Sequence, residues 1–290
     1  MLAAKFLPLG LAFIMFGLGL SLTRADFLRI LKVPRPVIIG LLTQMLLLPL
    51  FALGICKLFG LSNEFSIGMM ILAASPGGVT ANIYSHLARG DVALNITLTA
   101  VNSVLAAVSL PLIVGLSIAH FAGAEQQVGF QFKKAIEVFA IVLVPVIIGM
   151  VVKARKPDFA DRMDRPIRVF SILLLVVLIV AAIAQEREKM LASMAQLGGA
   201  VLLFNLLSLA VGYLLPLLIK LPRNQAIAIS MEVGIHNGTL AIYMALSVLN
   251  VYAYAMPAAL YSVLMFFTAG LFTMALNARR PAKTLAPTTA

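Results

Sequence analysis

Nine apolar segments follow one another along the chain, near residues 6–22, 37–56, 65–87, 92–118, 135–153, 167–184, 196–219, 224–249 and 254–276. A helix rises about 1.5 Å per residue, so segments of this length can cross a hydrocarbon core of about 30 Å. Short polar stretches separate them. The pattern predicts an all-α polytopic membrane protein with nine transmembrane helices. Residues 1–280 read as a single transmembrane domain and residues 281–290 as a disordered tail.

Two segments are interrupted. Segment 65–87 holds Ala74-Ser75-Pro76-Gly77-Gly78-Val79-Thr80-Ala81-Asn82, and segment 224–249 holds Met231-Glu232-Val233-Gly234-Ile235-His236-Asn237-Gly238. Proline removes a backbone donor and glycine accepts unusual dihedrals, so both runs predict helix breaks. At bilayer depth a break survives only where it is buried in protein or lines a cavity. Glu232 lies roughly 12 Å in from Asn224, near the bilayer centre, where a charge costs at least about 2.5 kcal/mol without a partner or a wet cavity.

The interruptions are related. A shift of 160 residues lays segment 6–22 on 167–184, 37–56 on 196–219, 65–87 on 224–249, and 92–118 on 254–276. Leu61 then meets Leu221, Ile67 meets Ile227, Gly78 meets Gly238 and Ala81 meets Ala241. Partners lie an odd number of spans apart, so the two copies run in opposite directions across the membrane. An inverted repeat with matched broken helices is a signature of secondary transporters, and the breaks point to the binding site. Segment 135–153 has no partner, which makes the repeat four plus five.

Polar residues gather around the breaks. Gln44 lies in 37–56, and Asn95, Thr97, Thr99, Asn102 and Ser103 lie in 92–118. Asn95, Thr99, Asn102 and Ser103 share one helical face. With Glu232 they supply hard oxygen ligands and one negative charge, a set that suits Na⁺. Half-helix amino termini at the breaks offer positive dipole ends to an anion.

Charge adds orientation. Of the 22 Lys and Arg residues, sixteen fall in the turns that hold Arg24 to Arg35, Arg89, Lys153 to Arg168, Lys220 to Arg223 and Arg279 to Lys283. The other side holds Lys5, Lys57, Lys133, Lys134, Arg187 and Lys189. This bias places the first set in the cytoplasm, the amino terminus outside and the tail inside. A net charge of +11 would suggest nucleic acid in a soluble protein; at 62% hydrophobic and 11% charged residues, it reads instead as basic loops facing anionic lipid. The single cysteine, Cys56, rules out a disulfide framework. Lys5 and the apolar run after it mimic a secretory signal, but Thr23-Arg24-Ala25-Asp26 and further spans follow, so the run reads as the first span.

The pattern Pro76-Gly77-Gly78-(x)3-Asn82, then His86-Leu87-Ala88-Arg89-Gly90-Asp91-Val92-Ala93-Leu94-Asn95, then Glu232-Val233-Gly234-Ile235-His236-Asn237 resembles the bile acid:sodium symporter family over nearly the whole chain. The resemblance implies a core domain with two broken, crossing helices (37–56, 65–87, 92–118, 196–219, 224–249 and 254–276) and a panel domain (6–22, 135–153 and 167–184). It implies one or two sodium ions behind the crossing. One site would use Ala81, Asn82, Asn95, Thr99 and Glu232. The other would use Gln44, Glu232, the carbonyls of Val233 and Ile235, and His236. Two features depart from the family pattern. Position 236 is commonly glutamine in sodium-coupled members, and the usual first helix is missing.

The implied function is secondary active transport of an organic anion with sodium, by alternating access in the plasma (inner) membrane. Substrate would sit near Thr80, Asn237 and Thr239. Bile acid-like anions and small carboxylates such as a keto acid or pantoate both suit the family. A proton-coupled carrier or exporter using His236 is a second reading. An intramembrane enzyme would need a second catalytic group beside Glu232, and neither a carboxylate pair nor a phosphate loop is present. Broken helices also describe a carrier better than a continuous pore. The expected partners are the anion and the bilayer, not nucleic acid; nothing in the sequence sets an oligomeric state.

Overall fold

A computed structural model describes residues 2–122, 132–185 and 187–278. The expected disordered tail, 281–290, lies outside them. The described residues are almost entirely helical: α1 (Leu2–Ser21), α2 (Arg24–Lys32), α3 (Pro34–Leu58), α4 (Asn63–Ala74), α5 (Ala81–Leu87), α6 (Val92–Phe121), α7 (Phe132–Arg155), α8 (Pro157–Gln185), α9 (Arg187–Leu218), α10 (Arg223–Gly234), α11 (Gly238–Val248) and α12 (Tyr252–Ala278). Four helices are each long and apolar enough to cross a membrane: Pro34–Leu58, Val92–Phe121, Met194–Leu218 and Tyr252–Ala278. Pro8–Ser21 with Arg24–Lys32, bent by 62°, makes a fifth if the pair is one span.

Each apolar segment coincides with a helix or with two half-helices. The helices run past the apolar windows where charged residues continue them. Thus α8 starts at Pro157 and α9 at Arg187, about ten residues before the hydrophobic stretches at 167 and 196. One element was not expected. Residues 24–32, read as a connecting loop, form α2. The backbone N–H and the hydroxyl of Thr23 both donate to Asp26 Oδ2 at 2.7 Å, which fixes the first turn. The Thr23-x-x-Asp26 spacing was the available signal for this start.

Both segments with glycine-rich interruptions are broken. Half-helix α4 ends at Ala74 and α5 starts at Ala81; α10 ends at Gly234 and α11 starts at Gly238. The leading halves, α4 and α10, are both 12 residues long, and both their ends lie 160 residues apart. Each follows a left-handed residue, Gly60 at φ 58° and Lys220 at φ 63°. Both are buried along most of their length, α4 among α3, α6 and α12, and α10 chiefly against α9 and α6.

The basic turns among the described residues collect at one end of the bundle. Arg29 pairs with Asp91 at 3.2 Å, and the Asp91 N–H donates to Asn224 O at 2.9 Å. Arg35 donates to Ile219 O and Arg223 to Leu276 O, each at 2.7 Å, and Asn277 donates to Leu87 O at 3.1 Å. Asp91 has two roles, since its Oδ1 also accepts the Leu94 N–H at 3.0 Å as the N-cap of α6. Asp91→Ala is therefore expected to cost about 1–2 kcal/mol, from the lost cap and a half-exposed ion pair. Arg29→Ala, which leaves the cap, is expected to cost less than 1 kcal/mol. Thermal denaturation in detergent gives the order; equal losses would show that the cap contributes nothing.

Candidate functional site

The two breaks meet. Gly78 N–H donates to Ile235 O at 2.7 Å, and Asn237 N–H donates to Pro76 O at 2.8 Å. These bonds pair Gly77 and His236 in an antiparallel bridge, the one isolated bridge among the described residues. The physical need is plain. Each break frees backbone donors and acceptors in an apolar interior, and the opposite break satisfies them. Behind the bridge, Gly234 O accepts from Asn205 Nδ2 at 3.1 Å and from the Tyr261 hydroxyl at 2.9 Å. Thr268 in turn donates its hydroxyl proton to Asn205 Oδ1. The end of α10 is thus held from two neighbouring helices.

Glu232 lies beside the crossing and is 1% exposed. Its Oε2 accepts the Thr99 hydroxyl at 2.6 Å, and Oε1 has no hydrogen-bond partner. Asn102 and the Gly77 backbone face the same carboxylate. The approach at Gly77 is so close that a Cβ there would overlap the carboxylate itself. The ion pairs found among the described residues, Arg29–Asp91 and Lys153–Asp161, lie elsewhere. Asn95 donates through Nδ2 to Ala228 O at 2.8 Å, which leaves its buried Oδ1 without a donor. Asn82 Oδ1 is also buried and unpaired. Ala81 is fully buried at the start of α5.

A second group lies on the other side of the break. Gln44 Nε2 donates to Ser75 O at 2.8 Å, and its Oε1 is unpaired. His236 Nδ1 lies 3.2 Å from Ser75 O and 3.4 Å from both Ser75 Oγ and Gln44 Nε2. The nearest atom is an acceptor, so the ring proton is assigned to Nδ1. The buried, unpaired Nε2 then carries a lone pair. The ring stands edge-on to Tyr261 with centroids 5.1 Å apart. The Ile235 carbonyl already accepts the Gly78 N–H, and the second lone pair of that oxygen is what it has left to offer.

Of the expected substrate residues, Asn237 is held as the N-cap of α11, its Oδ1 accepting the Leu240 N–H at 3.0 Å. Thr239 is buried and Thr80 half-buried at the start of α5. An apolar cleft of about 410 Å³ lies away from all three, lined by residues such as Met45, Leu50, Met70, Leu116 and His120. Its walls are mainly apolar, and none of Gln44, Asn82, Asn95, Thr99, Glu232 and His236 lines it, so it does not belong to the polar site.

The crossing presents buried oxygen atoms. Among the described residues, no three His, Cys, Asp or Glu side chains gather where they could hold a metal ion. Instead, Glu232 Oε1, Asn95 Oδ1, Asn82 Oδ1 and Gln44 Oε1 are all buried acceptors without donors. Unpaired acceptors are costly, and a cation would satisfy several at once.

The sequence signature of the Sodium Bile acid symporter family matches residues 8–193. The chain belongs to that family. Sodium Bile acid symporter family members are transporters, not enzymes. The chain is similar to the uncharacterized sodium-dependent transporter YocS of Bacillus subtilis, 29% identical over 260 residues, covering 90% of this chain and 79% of the relative. It is also similar to the probable sodium/metabolite cotransporter BASS2, chloroplastic, of Oryza sativa, 29% identical over 236 residues, with 81% and 55% of the two chains covered. The P3 protein of Mus musculus is 29% identical over 215 residues, with 74% and 45% covered. The chain therefore spans about half the length of the last two. The family match ends before Glu232, so the second break rests on its own geometry.

Several residues of the site were not singled out from sequence. Ser75 anchors Gln44 and His236, Gly77 packs on the carboxylate, and Asn205, Tyr261 and Thr268 hold Gly234. Asn205 carried the clearest unused signal, an amide in the middle of segment 196–219.

Proposed function

We propose that the chain is a secondary active transporter that couples sodium to the movement of an organic anion by alternating access. One observation carries the reading: a buried carboxylate with no cationic partner, set among unpaired oxygens where two helix breaks cross. A proton on Glu232 would satisfy one acceptor and leave the others bare. A sodium ion is held by several oxygens together. The relatives described as sodium-dependent transporter and sodium/metabolite cotransporter support the same coupling.

In this reading Ala81, Asn82, Asn95, Thr99 and Glu232 form one sodium site. Gln44, Glu232, Val233, Ile235 and His236 form the other, with the His236 Nε2 lone pair in place of an amide oxygen. Substrate binds near Thr80, Asn237 and Thr239, where the half-helices α5 and α11 present their amino-terminal ends. The matched half-helices α4 and α10 support an inverted four-plus-five repeat within nine spans, and the basic turns gathered at one end support a cytoplasmic face there. With Glu232 bare, reorientation exposes an uncompensated charge to the apolar interior; with cations bound it does not. The empty carrier therefore stays in place, which is what coupling requires.

Uptake into vesicles with Na⁺ replaced by K⁺ or choline tests the reading. Loss of uptake is expected, and unchanged uptake overturns sodium coupling. The same vesicles with a pH gradient and no sodium test the proton-coupled reading through His236. A thermal-shift panel of organic acids, with and without Na⁺, identifies the anion. Thr99→Val removes one charge-assisted hydrogen bond from Glu232 at constant volume. It is expected to raise the sodium concentration for half-maximal uptake by about tenfold, the equivalent of about 1.5 kcal/mol. An unchanged sodium dependence would remove Thr99 from the site.

A further inference from the structure

We propose that α2 is an in-plane helix that binds anionic lipid headgroups. The inference rests on the chain spanning the bilayer, not on the ion it carries. α2 leaves α1 at an angle of 62°, so the two cannot both run along the membrane normal. Its faces differ. Phe27 and Ile30 pack on the hydrophobic core, and Arg29 turns inward to Asp91. The opposite face carries Arg24, Leu28, Leu31 and Lys32, which follow one another at helical spacing. Leu28 is 58% exposed and Leu31 79%.

Two observations indicate what covers this face. The first is continuity. Beyond the turn at Val33, the exposed apolar stripe runs on down α3 through Ile38, Leu42 and Leu46, the surface a membrane-spanning helix turns to lipid. Leu28 and Leu31 are the exposed apolar residues that precede that stripe in the chain. The second is charge. Arg24, Lys32 and Arg35 are exposed beside the leucines, and Arg35 reaches Ile219 O, which brings exposed Lys220 to the same edge. The carboxylates close by are already engaged, Asp26 with Thr23 and Asp91 with Arg29. Basic residues that flank exposed apolar side chains on an amphipathic helix match an anionic lipid surface. Through Arg29 and Asp91 the bound lipid would also steady the ends of α6 and α10, which carry Asn95, Thr99 and Glu232.

The chain contains no tryptophan, so Leu31→Trp gives one reporter in the full-length protein. It is reconstituted in phosphatidylcholine and in an equal mixture of phosphatidylcholine and phosphatidylglycerol. In the mixture, blue-shifted emission, several-fold weaker quenching by acrylamide and quenching by lipid brominated near the headgroup are expected. Combining Leu31→Trp with Arg24→Gln and Lys32→Gln should return the emission toward that in phosphatidylcholine. Emission and acrylamide quenching like those of free tryptophan in both vesicles overturn the proposal. A tryptophan shielded from acrylamide and from brominated lipid also overturns it, because a protein surface then covers α2. Leu28→Trp repeats the test if Leu31→Trp does not fold. Sodium coupling is read in a separate uptake assay, so either idea can fail alone.

Discussion

Replacing Glu232 with glutamine is expected to abolish the stabilisation that sodium gives, while leaving the sodium-free protein at least as stable as the parent. The two effects have opposite signs because they come from different states. Without cation, Glu232 is a buried carboxylate whose Oε1 has no partner. Removing an uncompensated buried charge relieves a cost of several kcal/mol, and glutamine keeps the volume and an oxygen for the Thr99 hydroxyl. With sodium, the parent gains about 2.7 kcal/mol when the ion is at 100 times its dissociation constant. The variant loses the one negative ligand, so this gain should vanish. Uptake should fall by about 100-fold or more, as when one member of a buried charge pair is removed. A dye that reacts with the buried lone thiol of Cys56 reports melting. A sodium-induced shift of the parent's size in Glu232→Gln would defeat the proposed site.

Gly77→Ala is expected to disturb the Glu232 carboxylate directly and so to damage transport. The added Cβ would overlap the Glu232 carboxylate, so that side chain must shift. Glu232 is held by Thr99, and Gly77 is held by the bridge to His236. Relief comes from opening the Gly78 to Ile235 hydrogen bond or from turning the carboxylate off the Thr99 hydroxyl. The expected loss is about 1–3 kcal/mol of stability, with a drop of at least about tenfold in sodium affinity. Gly78 gives the comparison, since its Cβ would lie 3.1 Å from the His236 carbonyl oxygen, tight but without overlap. Gly78→Ala should transport better than Gly77→Ala. If Gly77→Ala transports like the parent, the crossing does not set the carboxylate's position.

Much of the site could be read along the chain because membrane burial makes polar residues conspicuous. Glu232, His236, Gln44, Asn95 and Thr99 stand out in apolar segments, and the structure buries every one of them. The breaks were legible from proline and glycine. What could not be read was the sharing of partners. Asn95 uses its amide nitrogen on Ala228 and so presents its oxygen to the site, a choice that depends on α10 lying against α6. Ser75 looked like one polar residue of a break; its carbonyl turned out to fix Gln44 and to lie nearest His236 Nδ1. α2 is hidden from a hydropathy reading because a short helix rich in charge resembles a loop.

The sequence alone determined the helical character, the positions of the apolar segments and the two interruptions, because these follow from local composition and from the cost of polar groups in hydrocarbon. It also determined which residue types were available as ligands. Only the tertiary structure decided that the interruptions satisfy each other, that Gly77 rests on Glu232, and that four buried oxygens are left without donors. Those facts depend on hydrogen bonds between residues far apart in sequence, such as Gly78 with Ile235 and Thr99 with Glu232. Each such bond is decided by which helices pack side by side, and local sequence carries no record of that.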